Sequence, residues 1–227
     1  MKLSNKILLG FFGLVFLYLT AAFAEIRLSG IPNIVNDKNS IAETVDISGV
    51  AYLIIKDLDN NVKVIGSDRT RLEVRSLSGD LLKKLKYEMS GDTLTLSGLQ
   101  SEELGPIRIS LFVPETSLKG IAVNSAAATI EGMEQELLYI SLKSGRISVS
   151  GNKISNIQMD LSNRSFLEIN TTDLDTLSAT IEGSEVLINS PVGLVQGSMK
   201  NNSSLRLGDI QEIQLKKDES SRLNSYQ

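Results

Sequence analysis

From Leu118 to the end of the chain one short apolar phrase recurs six times: a large aliphatic, two residues, then another aliphatic. The pairs are Leu118/Ile121, Leu137/Ile140, Ile154/Ile157, Leu174/Leu177, Val192/Val195 and Ile210/Ile213. Their second members lie 19, 17, 20, 18 and 18 residues apart. That period is too short for helix-pair repeats and suits one turn of a β-solenoid. Alternate residues continue inward two positions beyond each pair, at Val123, Leu142, Met159, Ala179, Gly197 and Leu215. A polar or small bend follows, as at Lys143-Ser-Gly145, Ser162–Ser165, Glu182–Ser184 and Lys200–Ser203. Then comes a second strand with two apolar points: Ala128/Ile130, Ile147/Val149, Leu167/Ile169, Val186/Ile188 and Leu205/Leu207. Alternation of period two predicts short strands with one face inward, stacked turn upon turn and paired in parallel. Six turns at the inter-strand spacing of about 4.8 Å predict a rod roughly 29 Å long. The polar segment Lys216–Arg222 follows, and Lys217 stands where other turns carry Leu161, Ile181 or Met199, so the last turn reads as a cap.

Upstream the texture differs. Tyr52–Ile55 and Val62–Ile65 flank Asp57-Leu-Asp-Asn-Asn61, which reads as a hairpin. Leu85–Met89 and Leu94–Leu96 flank Ser90-Gly91-Asp92 and read as a second one. Ile107–Val113 is a strand stopped by Pro114. The first residues read differently again. Lys2 and Lys6 precede an uncharged stretch of 18 residues, Ile7 to Ala24, that ends in Ala22-Phe23-Ala24. A basic start, a short apolar run and a small-x-small triplet read as a secretory signal peptide, with an uncleaved membrane anchor as the alternative. The division is therefore 1–24 signal peptide, 25–43 linker or N-terminal cap, 44–116 strand-rich part and 117–227 repeat turns.

The order of these parts carries a resemblance. An export leader is followed by a strand-rich start ending in Ile107-Arg-Ile-Ser-Leu-Phe-Val-Pro114, and then by turns of the type Leu-x-x-Ile-x-Val-x-Ser with Ser or Gly at the bend. Over roughly 44–227 this resembles the GIN-type "putative autotransporter adhesin head" domains of bacterial envelope proteins. The resemblance implies a right-handed parallel β-helical fold and an adhesin-like role. It brings no catalytic or binding residues with it. The family favours Gly-x-Gly at its bends, whereas this chain places Ser125-Ala126, Ser144-Gly145, Ser162-Asn163 and Gly183-Ser184 there.

Composition narrows the chemistry. The chain has no Cys and no His, so disulfides, thiol chemistry and His-based triads are excluded. Loss of the leader with its two lysines leaves 21 basic against 27 acidic residues, a net charge of −6. That balance argues against a nucleic acid or an anionic membrane surface as partner. A membrane is expected only if the leader stays attached. Asp57, Asp59, Asp160, Asp173, Asp175 and Asp209 are the acids placed in loops or facing out, but Asp160 is followed one turn on by Thr180, so no carboxylate pair forms there. Asp57-x-Asp59-Asn60 and Asp173-x-Asp175 offer oxygens without the Gly and distal Glu of a calcium loop and read as turns. No cofactor and no metal are implied.

One feature suggests binding. Counted from the aliphatic pairs, the outward positions Ser141, Gln158, Ser178, Gln196 and Gln214 form an uncharged column beside a weakly charged one. A flat polar strip of this kind hydrogen-bonds a glycan or another protein surface. The sequence thus predicts an all-β protein, a right-handed parallel β-helix (β-solenoid) of about six short turns with a strand-rich N-terminal portion. The expected role is a non-enzymatic, exported envelope module binding a glycan or protein partner. A structural scaffold, a membrane-tethered sensing domain and, further off, a glycan-active enzyme are the alternatives.

Overall fold

A computed structural model describes residues 3–29, 35, 38–99, 106–171 and 174–225. Its elements in chain order are α1 (Leu3–Ser29), β1 (Ile41–Asp46), β2 (Tyr52–Lys56), β3 (Asn61–Gly66), β4 (Arg71–Ser76), β5 (Lys86–Ser90), β6 (Thr93–Ser97), β7 (Ile107–Val113), β8 (Gly120–Asn124) and β9 (Ala127–Glu131). They continue with β10 (Glu134–Lys143), β11 (Arg146–Ser162), β12 (Phe166–Thr171), β13 (Leu174–Glu182), β14 (Glu185–Ile188), β15 (Val192–Lys200), β16 (Ser204–Leu207), β17 (Ile210–Lys217) and β18 (Arg222–Ser225).

The strands form two facing sheets. One, sheet B, runs β5-β6-β2-β8-β10-β11-β13-β15-β17 and uses the second half of β11. The other, sheet A, runs β1-β4-β7-β3-β9-β11-β12-β14-β16-β18 and uses the first half of β11. From β8 onward the chain alternates between the sheets and every pairing is parallel, which makes a β-solenoid. The chain returns to sheet B five times after β8, so the solenoid has about five turns, slightly fewer than the six expected.

The inner columns hold the aliphatics the repeat predicts. Leu118, Ile154, Leu174 and Val192 are buried, as are Ile157, Leu177 and Val195 below them. Each such side chain contributes about 1.5–3 kcal/mol by leaving water. In the repeat turns the buried polar residues gather at the two corners, where several are tied to backbone groups. At the B-to-A bend Ser165 donates to the carbonyls of Ser162 (2.6 Å) and Leu142 (3.1 Å), and Ser203 repeats this toward Lys200 (2.6 Å) and Ile181 (3.0 Å). At the opposite corner Asn152 accepts from Met133 N–H at 2.7 Å and donates to the carbonyls of Ile130 and Ser150 at 2.9 Å each. A column of hydroxyls and an amide thus ties each rung to the next where the ladder bends.

Three sequence expectations change. First, Tyr52–Ile55 and Val62–Ile65 are not a hairpin: β2 pairs with β6 and β8, and β3 with β7 and β9, in different sheets. Asp57 bends the chain between them with φ 52°, as Ser125 (50°) and Ser144 (52°) do in later turns. A left-handed solenoid bend and a hairpin recruit the same residues, so local turn chemistry does not separate them. The second hairpin, β5–β6, forms as expected. Second, the register of the first two repeats shifts by two. Ile121 and Ile140 align with Met159, and it is Leu138 that aligns with Ile157. Leu138 is 0% exposed, whereas its neighbour Leu137 is 37% exposed and faces outward. Third, the capping turn is only half polar. Lys217 donates to the Ser221 carbonyl at 3.3 Å, but Ile213 in the same strand stays 43% exposed.

The N-terminal end closes differently. There β4 turns antiparallel against β7 and β1 against β4, while the β5–β6 hairpin ends the other sheet. The Glu43 carboxylate accepts from the N–H groups of Leu81 (2.8 Å) and Leu82 (3.2 Å), capping a helical turn that buries Leu81 and Leu85 between the sheets' ends. Helix α1 is separate in character. Its segment Leu8–Leu28 has a mean hydropathy of 1.9, none of it buried, and is long and apolar enough to cross a membrane.

Candidate functional site

The outer face of sheet B carries a groove of about 850 Å³. Two outward ladders make its floor. One runs Thr93–Tyr52–Gly120–Tyr139–Gln158–Ser178–Gln196–Gln214, and the other Thr95–Ile54–Ala122–Ser141–Asp160–Thr180–Ser198–Lys216. Four of the five residues singled out from the sequence, Gln158, Ser178, Gln196 and Gln214, stand in the first ladder. Ser141 is displaced into the second by the two-residue register shift. All five still line the same groove.

The sequence reading missed the aromatic end. Tyr52 and Tyr139 are 38% and 42% exposed and flank Gly120 on adjacent strands. A Cβ at Gly120 would lie 3.1 Å from the Tyr52 ring and 3.3 Å from Tyr139 Cβ. The missing side chain at Gly120 leaves room for the Tyr52 ring beside the ladder, where it presents an aromatic surface to the groove. The signal was present, because strict alternation from the buried Leu53 and Ile140 puts both tyrosines outward. At the far end Gly197 has φ +128°, and any side chain there would strike the Ala179 carbonyl. Small residues in the two outward ladders, Gly120, Ala122, Ser141 and Ser178, leave room along the floor of the groove.

Polar groups in the groove are spaced along one line. Gln196 Nε2 donates to Ser178 Oγ at 2.9 Å, and Gln214 Nε2 to the Glu212 carboxylate at 2.7 Å. Asp160 pairs with Ser141 on one side and Thr180 on the other, so its ladder neighbours are hydroxyls rather than a second carboxylate. Among the described residues no three Asp or Glu side chains gather as a metal-binding group. Asp57 and Asp59 lie in the β2–β3 bend, where the Asp57 N–H donates to the Asn124 carbonyl at 3.1 Å. Asp173 falls outside the described residues. Asp175 and Asp209 lie at the far corner with Gly193 and Ile210, beside a smaller depression of about 310 Å³.

No protein-family model matches this chain, and no curated protein matches it. Solved structures do. A "putative adhesin" from Bacteroides fragilis superposes with a TM-score of 0.56 at 10% identity, covering 85% of this chain and 99% of that one. A "putative lipid binding protein" from Parabacteroides distasonis gives 0.53 at 13% identity, with 86% and 99% coverage. A "putative adhesin" from the same organism gives 0.50 at 10% identity, with 84% and 98% coverage. At these identities the likeness is one of fold, and it extends over almost the whole of each neighbour.

Proposed function

We propose that this chain is a non-catalytic, exported cell-envelope module, adhesin-like, whose sheet-B groove binds an extended uncharged glycan. The observation that carries the reading is the groove itself. Two exposed tyrosines stand at one end, and a row of amide and hydroxyl groups at rung spacing runs along the rest. Aromatic faces pack against the apolar C–H faces of sugars, and Gln, Ser, Thr and Asp side chains hydrogen-bond their hydroxyls. The repeating ladder suits a repeating polymer. The N-terminal apolar helix supports export, and the neighbours named as adhesins support a binding role over an enzymatic one. A protein segment laid along the same groove is the second reading, favoured by the exposed Leu137 next to Tyr139.

Two measurements test this. Co-sedimentation of the purified protein with isolated envelope polymers should show saturable binding that Gln158→Ala, Gln196→Ala and Tyr139→Ala each weaken. Binding to no polysaccharide fraction, with capture of a protein instead, would move the assignment to the second reading. The mass of the protein recovered from cells should place the mature start at Glu25. A retained leader would instead make the module membrane-tethered.

A further inference from the structure

The C-terminal end of the solenoid is an unfinished pair of sheets. Beyond β17 and β18 no described strand continues either sheet, yet the last inner positions apart from Lys217 are apolar. Ile213 is 43% exposed, and Ile210, Leu215 and Leu223 are half-buried against the core. An open parallel edge of this kind is a template for another strand. Its own sequence restricts which strand fits.

Asp218 N–H donates back to the Met199 carbonyl at 3.2 Å. By strand alternation the backbone groups of Ile213, Leu215 and Lys217 therefore point to the free edge. An antiparallel partner must present its own edge-facing residues opposite them. When the partner is a second β17, centring the pair on Gln214 meets that condition. Ile213 then faces Leu215 of the second copy in the inner column, and Glu212 faces Lys216 of the second copy on the outer face, each twice by symmetry. Glu212 is held over that face by the Gln214 hydrogen bond. Moving the centre by one residue to either side loses the Glu–Lys match, and centring on Leu215 sets Ile213 against Lys217.

We infer that β17 pairs with β17 of a second copy across a twofold axis at Gln214, joining two solenoids tail to tail into a closed dimer. A twofold contact uses up both edges and cannot propagate into a fibre. Chain entry at β1 lies at the opposite end, so neither a leader nor a tether obstructs it.

The chain has no cysteine, so a single introduced one reports on this contact alone. Directly opposed residues at a non-hydrogen-bonded antiparallel position lie about 4.5 Å apart at Cα, within disulfide reach. Gln214→Cys in the full-length chain, oxidised in intact cells, should therefore run as a disulfide-linked dimer. Gln196→Cys, one rung inside, would sit about 14 Å from its symmetry mate and should stay monomeric. Adding Glu212→Lys to Gln214→Cys should abolish most of the dimer by setting like charges opposite, and Glu212→Lys with Lys216→Glu should restore it. Resistance to added protease confirms that each variant is folded. A Gln214→Cys chain that cross-links no more than Gln196→Cys, or a dimer indifferent to the charge reversal, would overturn the inference. The lysines of β17 would then be read as guards that keep the edge unpaired.

Discussion

The two outer faces of this solenoid share one core and one ladder, yet they use their polar groups in different ways. On sheet A the groups pair with each other: Lys63 with Glu131 at 2.7 Å, Arg206 with Glu185 at 3.1 Å and Asn61 with Thr129 at 3.1 Å. Its aromatics are covered as well, with the guanidinium of Arg71 4.0 Å above the Phe112 ring and that of Arg146 4.3 Å above Phe166. On sheet B the ion pairs Lys153–Glu134 and Lys200–Glu182, both at 3.0 Å, sit at the strand ends, and the middle positions hold Tyr52, Tyr139, glutamines and small residues around an open groove. A face that satisfies itself has little left to offer a ligand, while a face with uncovered rings and a spaced amide row has much. The two faces therefore differ in how much ring and amide surface they leave uncovered, and the proposed binding role rests on that difference.

Changes in the shared core should abolish both faces at once. Ile157→Asp or Leu177→Asp buries an unpaired carboxylate in the inner column and should unfold the domain, at a cost above about 4 kcal/mol. Near-native circular dichroism and melting of either variant would contradict the inner column. Asn152→Ala should come next. It strands the Met133 N–H and two carbonyls at a corner, for a loss of about 2–3 kcal/mol in denaturant unfolding. Removing the Glu43 cap by Glu43→Ala should cost about 1 kcal/mol, read in the same experiment. On the outer faces the effects should be small. Arg206→Ala on sheet A and Gln158→Ala on sheet B should each change stability by no more than about 0.5 kcal/mol. The two variants should differ in binding alone.

Acid should act at the C-terminal bend. Hydrogen bonds from Ser221, Asn201 N–H and Ser220 lower the Asp218 pKa from 3.8 to about 2. Because the folded value is the lower one, the stability this group adds is present above pH 3.8 and is lost as pH falls toward 2. Asp218→Asn should therefore melt with a shallower pH dependence than the parent between those limits, and identical slopes would show that the bend does not depend on the carboxylate.

Much of the architecture was legible because stacked aliphatics repeat in sequence at the period of one turn. Register was harder to read. Leu137 and Leu138 are adjacent and equally apolar, so spacing alone selected the outward one. The column Met159–Ala179–Gly197 dwindles in size and masks its equivalence to Ile121 and Ile140. The insertion of β2 and β3 between the β6–β7 rung and β8–β9 depends on pairings between distant segments, which no local pattern encodes. At the site, the glutamine ladder came directly from period-two alternation. The aromatic wall depends on Tyr52 folding across Gly120 from a strand 68 residues earlier, a contact that exists only once the rungs are stacked.

The most direct test is a matched pair of titrations against the envelope polymer that the protein retains. Tyr139→Ala on sheet B and Arg206→Ala on sheet A are both exposed and expected to fold normally. Affinity lost in the first and unchanged in the second is the expected result. Equal affinity for both variants, or loss confined to Arg206→Ala, would show that the groove on sheet B is not the binding face.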